Sequence, residues 1–143
     1  MTRPWTNAYV GIPYADLGRD RQGCDCWGLA RMIYACELGI DLPSYQDAYV
    51  SAEERAEIAG LLAAQEDHGP WRCVEERARA FDLVLFRRGR FRSHIGVVIE
   101  HGWMLHMAGE DQAKVESLAH PRWASRLGGV YRHVQQCAKW GLQ

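Results

Sequence analysis

The spacing of apolar residues changes character near Trp71. Before it, the regular stretches follow a helical repeat. From 25 to about 38, Cys26, Leu29 or Ala30, Ile33 and Cys36 fall on one face of a 3.6-residue period, which predicts an amphipathic helix. Asp25 is a good N-cap, Gly39 stands where a left-handed C-terminal glycine belongs, and Pro43 blocks resumption. Ser51-Ala52-Glu53-Glu54 opens a second predicted helix, which runs to about Gln65 and ends at His68-Gly69-Pro70. Residues 1–23 are broken by Pro4, Gly11, Pro13, Gly18 and Gly23 into an irregular arm, whose Trp5, Tyr9, Val10, Ile12 and Tyr14 can pack on a core. Residues 44–50 favour neither period.

After Trp71 the alternation becomes strand-like. Residues 71–75 and 82–86 predict two strands, and 94–99 with 103–107 predict the arms of a hairpin. Ala113-Lys114-Val115-Glu116 and Gly129-Val130-Tyr131-Arg132-His133 predict two more, with one or two helical turns at 121–126 between them. Helices followed by strands imply α+β, with N-terminal helices on a central antiparallel sheet of about five strands. No repeat, linker or low-complexity segment divides the chain, so 1–143 reads as one domain.

Composition narrows the function classes. A formal net charge of −1 gives no electrostatic footprint for nucleic acid or an anionic membrane. The basic run Arg87-Arg88-Gly89-Arg90-Phe91-Arg92 reads as a solvated turn. No apolar stretch approaches the roughly 20 residues that span a bilayer, and Met1-Thr2-Arg3-Pro4-Trp5 lacks a secretory signal's apolar segment. The expectation is synthesis in a bacterial cytoplasm, with export by lysis or within a larger particle. Five cysteines, at 24, 26, 36, 73 and 137, are an odd number in a chain that can bury a core without cross-links, so mostly reduced thiols are expected.

Chemistry enters through Cys26 and two histidines. A thiol in the first turn of a helix sits at the positive end of the dipole, where the nucleophilic thiolate is favoured. In the hairpin, a three-residue loop Glu100-His101-Gly102 with Gly102 left-handed sets Ile99 opposite Trp103 and Gly96 opposite His106. His94 and Gly96 then share a face, and His106 lies diagonal to His94 on it. A two-residue loop would put His106 on the other face. A strand histidine steadied by a second polar group and facing a helix-terminal cysteine is the layout of a Cys–His nucleophilic site. Cys26 would attack a carbonyl, His94 would hold the proton and return it to the leaving amine, and His106 would orient His94.

These residues resemble the NlpC-type cell-wall cysteine peptidases, papain-like in core architecture, and within them the phage-tail and prophage branch. Gly11-Ile12-Pro13-Tyr14 with Asp25-Cys26-Trp27-Gly28-Leu29 is similar to the branch's opening, and residues 39–45 to the stretch after its first helix. Phe81-Asp82-Leu83-Val84-Leu85-Phe86 looks like a strand usually begun Gly-Asp. Ser93-His94-Ile95-Gly96-Val97-Val98, with His106 downstream, is the most specific match, and residues 126–132 resemble the closing strand. The resemblance implies hydrolysis of an amide bond in peptidoglycan stem peptides, often the γ-D-glutamyl to diamino-acid link, with no cofactor or metal. It maps nucleophile, base and orienting residue to Cys26, His94 and His106. It also implies substrate contacts for Tyr14, Asp25 and Ser93, although Asp25 serves equally as a helix cap and Tyr14 as a packed arm residue. The implied partners are the stem peptide and phage tail proteins. Cys24 and Phe81 depart from the family pattern without removing a catalytic group.

Three other readings stay open on sequence alone. Cys24, Cys26, His94 and His106 are permissible zinc ligands, though Cys-x-Cys spacing is poor for zinc. An inactive tail assembly protein could keep the fold. Acyl transfer or transamidation could use the same thiol.

Overall fold

The computed structural model describes residues 5–15, 18–42, 71–88, 91–100, 102–107 and 111–135. The second predicted helix, the 44–50 segment and Cys137 lie outside them. A 3-10 turn, Trp5–Ala8, opens the arm. Strands β1 (Arg19–Asp20) and β2 (Gly23–Cys24) form a small antiparallel pair leading into helix α1 (Cys26–Ile33). Then come β3 (Trp71–Cys73), β4 (Leu83–Arg88), β5 (Phe91–Glu100), β6 (Trp103–Met107), β7 (Ala113–Ser117), the single turn α2 (Pro121–Ala124) and β8 (Leu127–His133). Six strands form one antiparallel sheet in the order β3-β8-β4-β5-β6-β7, in line with the strand segments expected, and β3 pairs on the edge made by β8. The architecture is the α+β papain-like one anticipated. No described helix is long and apolar enough to cross a membrane.

Local chemistry sets the ends of α1. The Asp25 carboxylate accepts from Gly28 N at 2.8 Å, satisfying one of the orphan donors of the first turn. Past Ile33 the helix widens into a π-helical turn, Tyr34–Leu38, and stops at Gly39 with φ of 68°. All of α1 except Arg31 is buried. Its apolar face and the π turn join Leu83, Leu85, Ile95, Val97, Leu105, Met107 and Tyr131 in the main core. The other face of the sheet carries a smaller cluster of Val84, Phe86, Val98, Met104 and Trp123. Period-two alternation thus gives β4, β5 and β6 an apolar residue on each face, as expected of strands covered on both sides.

Two irregularities differ from the sequence reading. At the β5–β6 turn, Glu100 pairs with Trp103 and Val98 with Met104, so Ile99 is bulged out of the ladder. The loop is two residues, 101 and 102, with Gly102 at φ of 81°. The bulge restores the parity that two residues alone would have reversed, and Gly96 still pairs with His106. At the other end of β5, Phe86 pairs with His94 and Arg87 with Arg92, leaving Ser93 unpaired. The basic run expected to be a turn therefore belongs largely to β4 and β5, with only residues 89 and 90 between the strands.

Candidate active site

The arm and the small strand pair determine where α1 begins. Gly11 N donates to Ala113 O at 2.9 Å, Tyr14 N to Asp111 O at 2.9 Å, and Tyr14 bridges to Cys24. Ala113 in turn pairs with Met107 at the end of β6. The arm thus runs past the end of the sheet where β6 finishes and β5 starts, and Cys26, the first residue of α1, is 2% exposed in the main core. His94 and His106 occupy that same end. Their rings are buried, and His94 Nε2 lies 2.7 Å from His106 Nδ1. This is the diagonal pairing the alternation predicted.

Two further side chains complete the imidazole pair. His106 Nε2 is 2.9 Å from Glu116 Oε1, and Trp123 Nε1 donates to Glu116 Oε2 at 3.1 Å. The Trp123 ring stacks on His94, with centroids 5.3 Å apart and planes at 24°, and meets His106 edge-on at 4.8 Å. Phe86 packs against both rings, its centroid 5.8 Å from His94 and 5.2 Å from Trp123. Burial lowers the His106 pKa against the opposing pull of the Glu116 carboxylate, so that ring is held neutral. Glu116 stays ionised further into acid than an ordinary carboxylate. Burial works against this, but the donors Trp123 and His106 outweigh it.

Sequence reasoning missed Glu116 and Trp123. The signal for Glu116 was present, because alternation along β7 puts it opposite Met104, beside the His106–Lys114 pair. That for Trp123 was not, because α2 returns across the sheet through a connection with no periodicity of its own.

Of the remaining predicted residues, Asp25 is fully buried and ion-paired with Arg19 Nη1 at 2.8 Å as well as capping α1. Both partners meet the same oxygen, Oδ1. Tyr14 is half-buried against the core beside Cys24. Ser93 contributes backbone to β5, and its side chain lies outside the described residues. Asp82, given no role from sequence, is a structural anchor: its two oxygens accept from Arg132 Nε and Nη2, each at 2.8 Å, and Arg79 N adds a third bond. Burial, reinforced by the Asp25 charge, pushes Cys24 up to about 12, which leaves it un-ionised and inert. No disulfide joins the four described cysteines. Among the described residues, no group of three or more His, Cys, Asp or Glu is arranged to hold a metal ion.

The chain is 25% identical over 124 residues to the Murein DD-endopeptidase MepS/Murein LD-carboxypeptidase of Escherichia coli, an alignment covering 87% of this chain and 57% of that protein. The chain thus spans little more than half the length of the curated relative. Among solved structures it resembles the NlpC/p60 domain of the peptidoglycan hydrolase SagA, with a TM-score of 0.60, 23% identity and coverage of 89% and 92% of the two chains. It also resembles an NlpC/P60 family protein from Bacillus cereus, with a TM-score of 0.64, 23% identity and coverage of 90% and 37%. Likeness at these identities speaks to the fold. The family model for NlpC/P60 matches residues 11–132, from the arm to the penultimate residue of the last strand, and the chain belongs to that family.

Proposed function

We propose that this chain is a cysteine endopeptidase that hydrolyses amide bonds in the stem peptides of bacterial peptidoglycan. The observation that carries the reading is the buried His94–His106 pair, 2.7 Å apart, in a chain whose α1 opens with Cys26. Cys26 is the nucleophile, His94 the general base and acid, and His106 the group that orients His94. His94 takes the thiol proton and Cys26 Sγ adds to the scissile carbonyl carbon. The oxyanion that forms meets the positive end of α1. Protonated His94 then gives its proton to the departing amine as the C–N bond breaks. Water activated by His94 hydrolyses the thioester and regenerates the thiol.

Two bonds suit this chemistry: the γ-D-glutamyl to diamino-acid link suggested by the motif resemblance, and the D,D cross-link suggested by the curated relative's name. The motifs around His94 and after α1 are also what support a phage-tail or prophage setting. In that setting the chain would leave the cytoplasm with the particle or at lysis and act on the wall.

Incubation with defined muropeptides, with products read by mass spectrometry, tests the reading and names the bond by fragment mass. Cys26→Ala and His94→Ala are each expected to abolish fragment release while thermal unfolding stays cooperative. His106→Ala should reduce the rate less. Full activity in either of the first two overturns the assignment.

A further inference from the structure

The two imidazoles do not end their own hydrogen-bond chain. It continues to Glu116, which is held at its other oxygen by the Trp123 indole. We propose that Glu116 is a positioning residue: its carboxylate fixes the tautomer of His106, and through it leaves Nδ1 of His94 as the bare nitrogen that receives the Cys26 proton. This rests on the reading above, in which His94 is the base.

The argument follows from donor and acceptor capacity. An ionised carboxylate only accepts, so at 2.9 Å His106 Nε2 must carry a hydrogen. Neutral imidazole has one N–H, so His106 Nδ1 is then an acceptor. Its partner at 2.7 Å, His94 Nε2, must be the donor. A neutral His94 protonated at Nε2 has its lone pair at Nδ1. Without Glu116 the reverse sequence of donors is equally allowed: His106 Nδ1 would donate to His94 Nε2, and the lone pair of His94 would be spent inside the pair. Glu116 removes that alternative.

Trp123 serves the same end twice. Its N–H fixes the Glu116 carboxylate, and its ring lies flat on His94 and limits rotation of that imidazole. Glu116 keeps 24% of its side chain exposed, so a substitution of equal shape there is compatible with folding. Glutamine is such a residue and is chemically frustrated. Its single carbonyl oxygen must serve two donors, the indole N–H and the imidazole N–H, and its amide nitrogen faces whichever one it leaves.

The test uses the full chain labelled with 15N-histidine. Long-range 1H–15N spectra near neutral pH read which ring nitrogen carries the hydrogen, and turnover on a defined muropeptide is measured beside them. The native protein is expected to show Nε2–H on both His106 and His94. Glu116→Gln should show Nδ1–H on His106, alone or in a mixture. Its kcat should fall about tenfold or more with KM within about twofold, because orientation and not binding is lost. Glu116→Asp should recover part of the rate. A native His106 protonated at Nδ1 overturns the proposal with no variant needed. So does Glu116→Gln with native tautomers, whether or not its rate has changed. Cys26→Ala keeps the two claims apart: if it retains turnover, the reading of the whole site fails. If it is dead while Glu116→Gln keeps native tautomers and native kcat, only the role of Glu116 fails.

Discussion

Phe81 shows how one residue can be strained and still be the better choice. Its φ is 71°, in the left-handed region that costs a non-glycine residue about 1–2 kcal/mol. The backbone there is held on both sides: Phe81 N donates to Val98 O at 2.7 Å, and Phe81 O accepts from the Tyr34 hydroxyl. The ring is buried and stacks on Trp5 at 4.9 Å, tying the arm to the core. Loss of a buried Phe side chain costs about 3–5 kcal/mol, which exceeds the strain. Both Phe81→Gly and Phe81→Ala should therefore destabilise the protein. The glycine variant should be the milder by about 1 kcal/mol, since it alone relieves the left-handed backbone. Urea denaturation of the pair checks this, and equal losses would show that no strain is stored. The conflict is visible in the sequence only as a phenylalanine before Asp82, where the strand that residues 81–86 resemble usually begins with glycine. The sign of φ needed the structure.

At the scale of elements, the β5–β6 hairpin brings the two imidazoles together, and Gly96 is what lets them lie side by side. A Cβ at Gly96 would sit 2.8 Å from Met104 Sδ, 3.2 Å from Val84 Cγ2 and 3.4 Å from His106 Cβ. Met104 can yield because its thioether is flexible, whereas Val84 and His106 Cβ move only with their strands. Gly96→Ala is expected to cost about 1–3 kcal/mol by overpacking. It should also lower turnover by roughly tenfold or more through displacement of His106. Unfolding curves and muropeptide kinetics check the two parts separately. Much of this element was legible beforehand. Alternation put His94, Gly96 and His106 on one face, and the left-handed position of Gly102 followed from its place in the turn. The division of the turn into a two-residue loop and a bulge at Ile99 was not legible. Local spacing is the same for both solutions, and the choice is made by Ile99 packing against the main core. Likewise the cap at Asp25 could be read from its neighbours, while the π turn at Tyr34–Leu38 could not, because it depends on what the helix packs against.

For the whole molecule, the buried imidazoles make stability a function of pH, and His133 has the largest assigned part. It sits at the β3–β8 edge against Trp71 and Tyr34, with ring centroids 4.9 and 6.0 Å away, and is 4% exposed. Gln135 N donates to its Nδ1 at 3.1 Å, a bond only an unprotonated Nδ1 accepts. Burial depresses its pKa to about 4 from the ordinary 6.5. The unfolded chain therefore binds a proton at this residue between those values that the folded chain refuses. Stability is full above about pH 6.5 and falls as pH drops towards 4, by up to about 1.4 kcal/mol per unit. From pH 7 to 5 this one group removes at most about 2 kcal/mol. His106, shifted in the same direction by burial, adds to the slope. Glu116 acts lower down: its depressed pKa gives stability that persists above the ordinary carboxylate range and is lost only as pH falls through the folded value. Replacing His133 by Phe keeps the aromatic packing and removes the proton-binding site. The difference in unfolding free energy between pH 7 and pH 5 should then shrink by about 1–2 kcal/mol relative to the parent chain. Parallel pH profiles for the two proteins would show that His133 is protonated in the folded state and that the acid sensitivity arises at His106 instead.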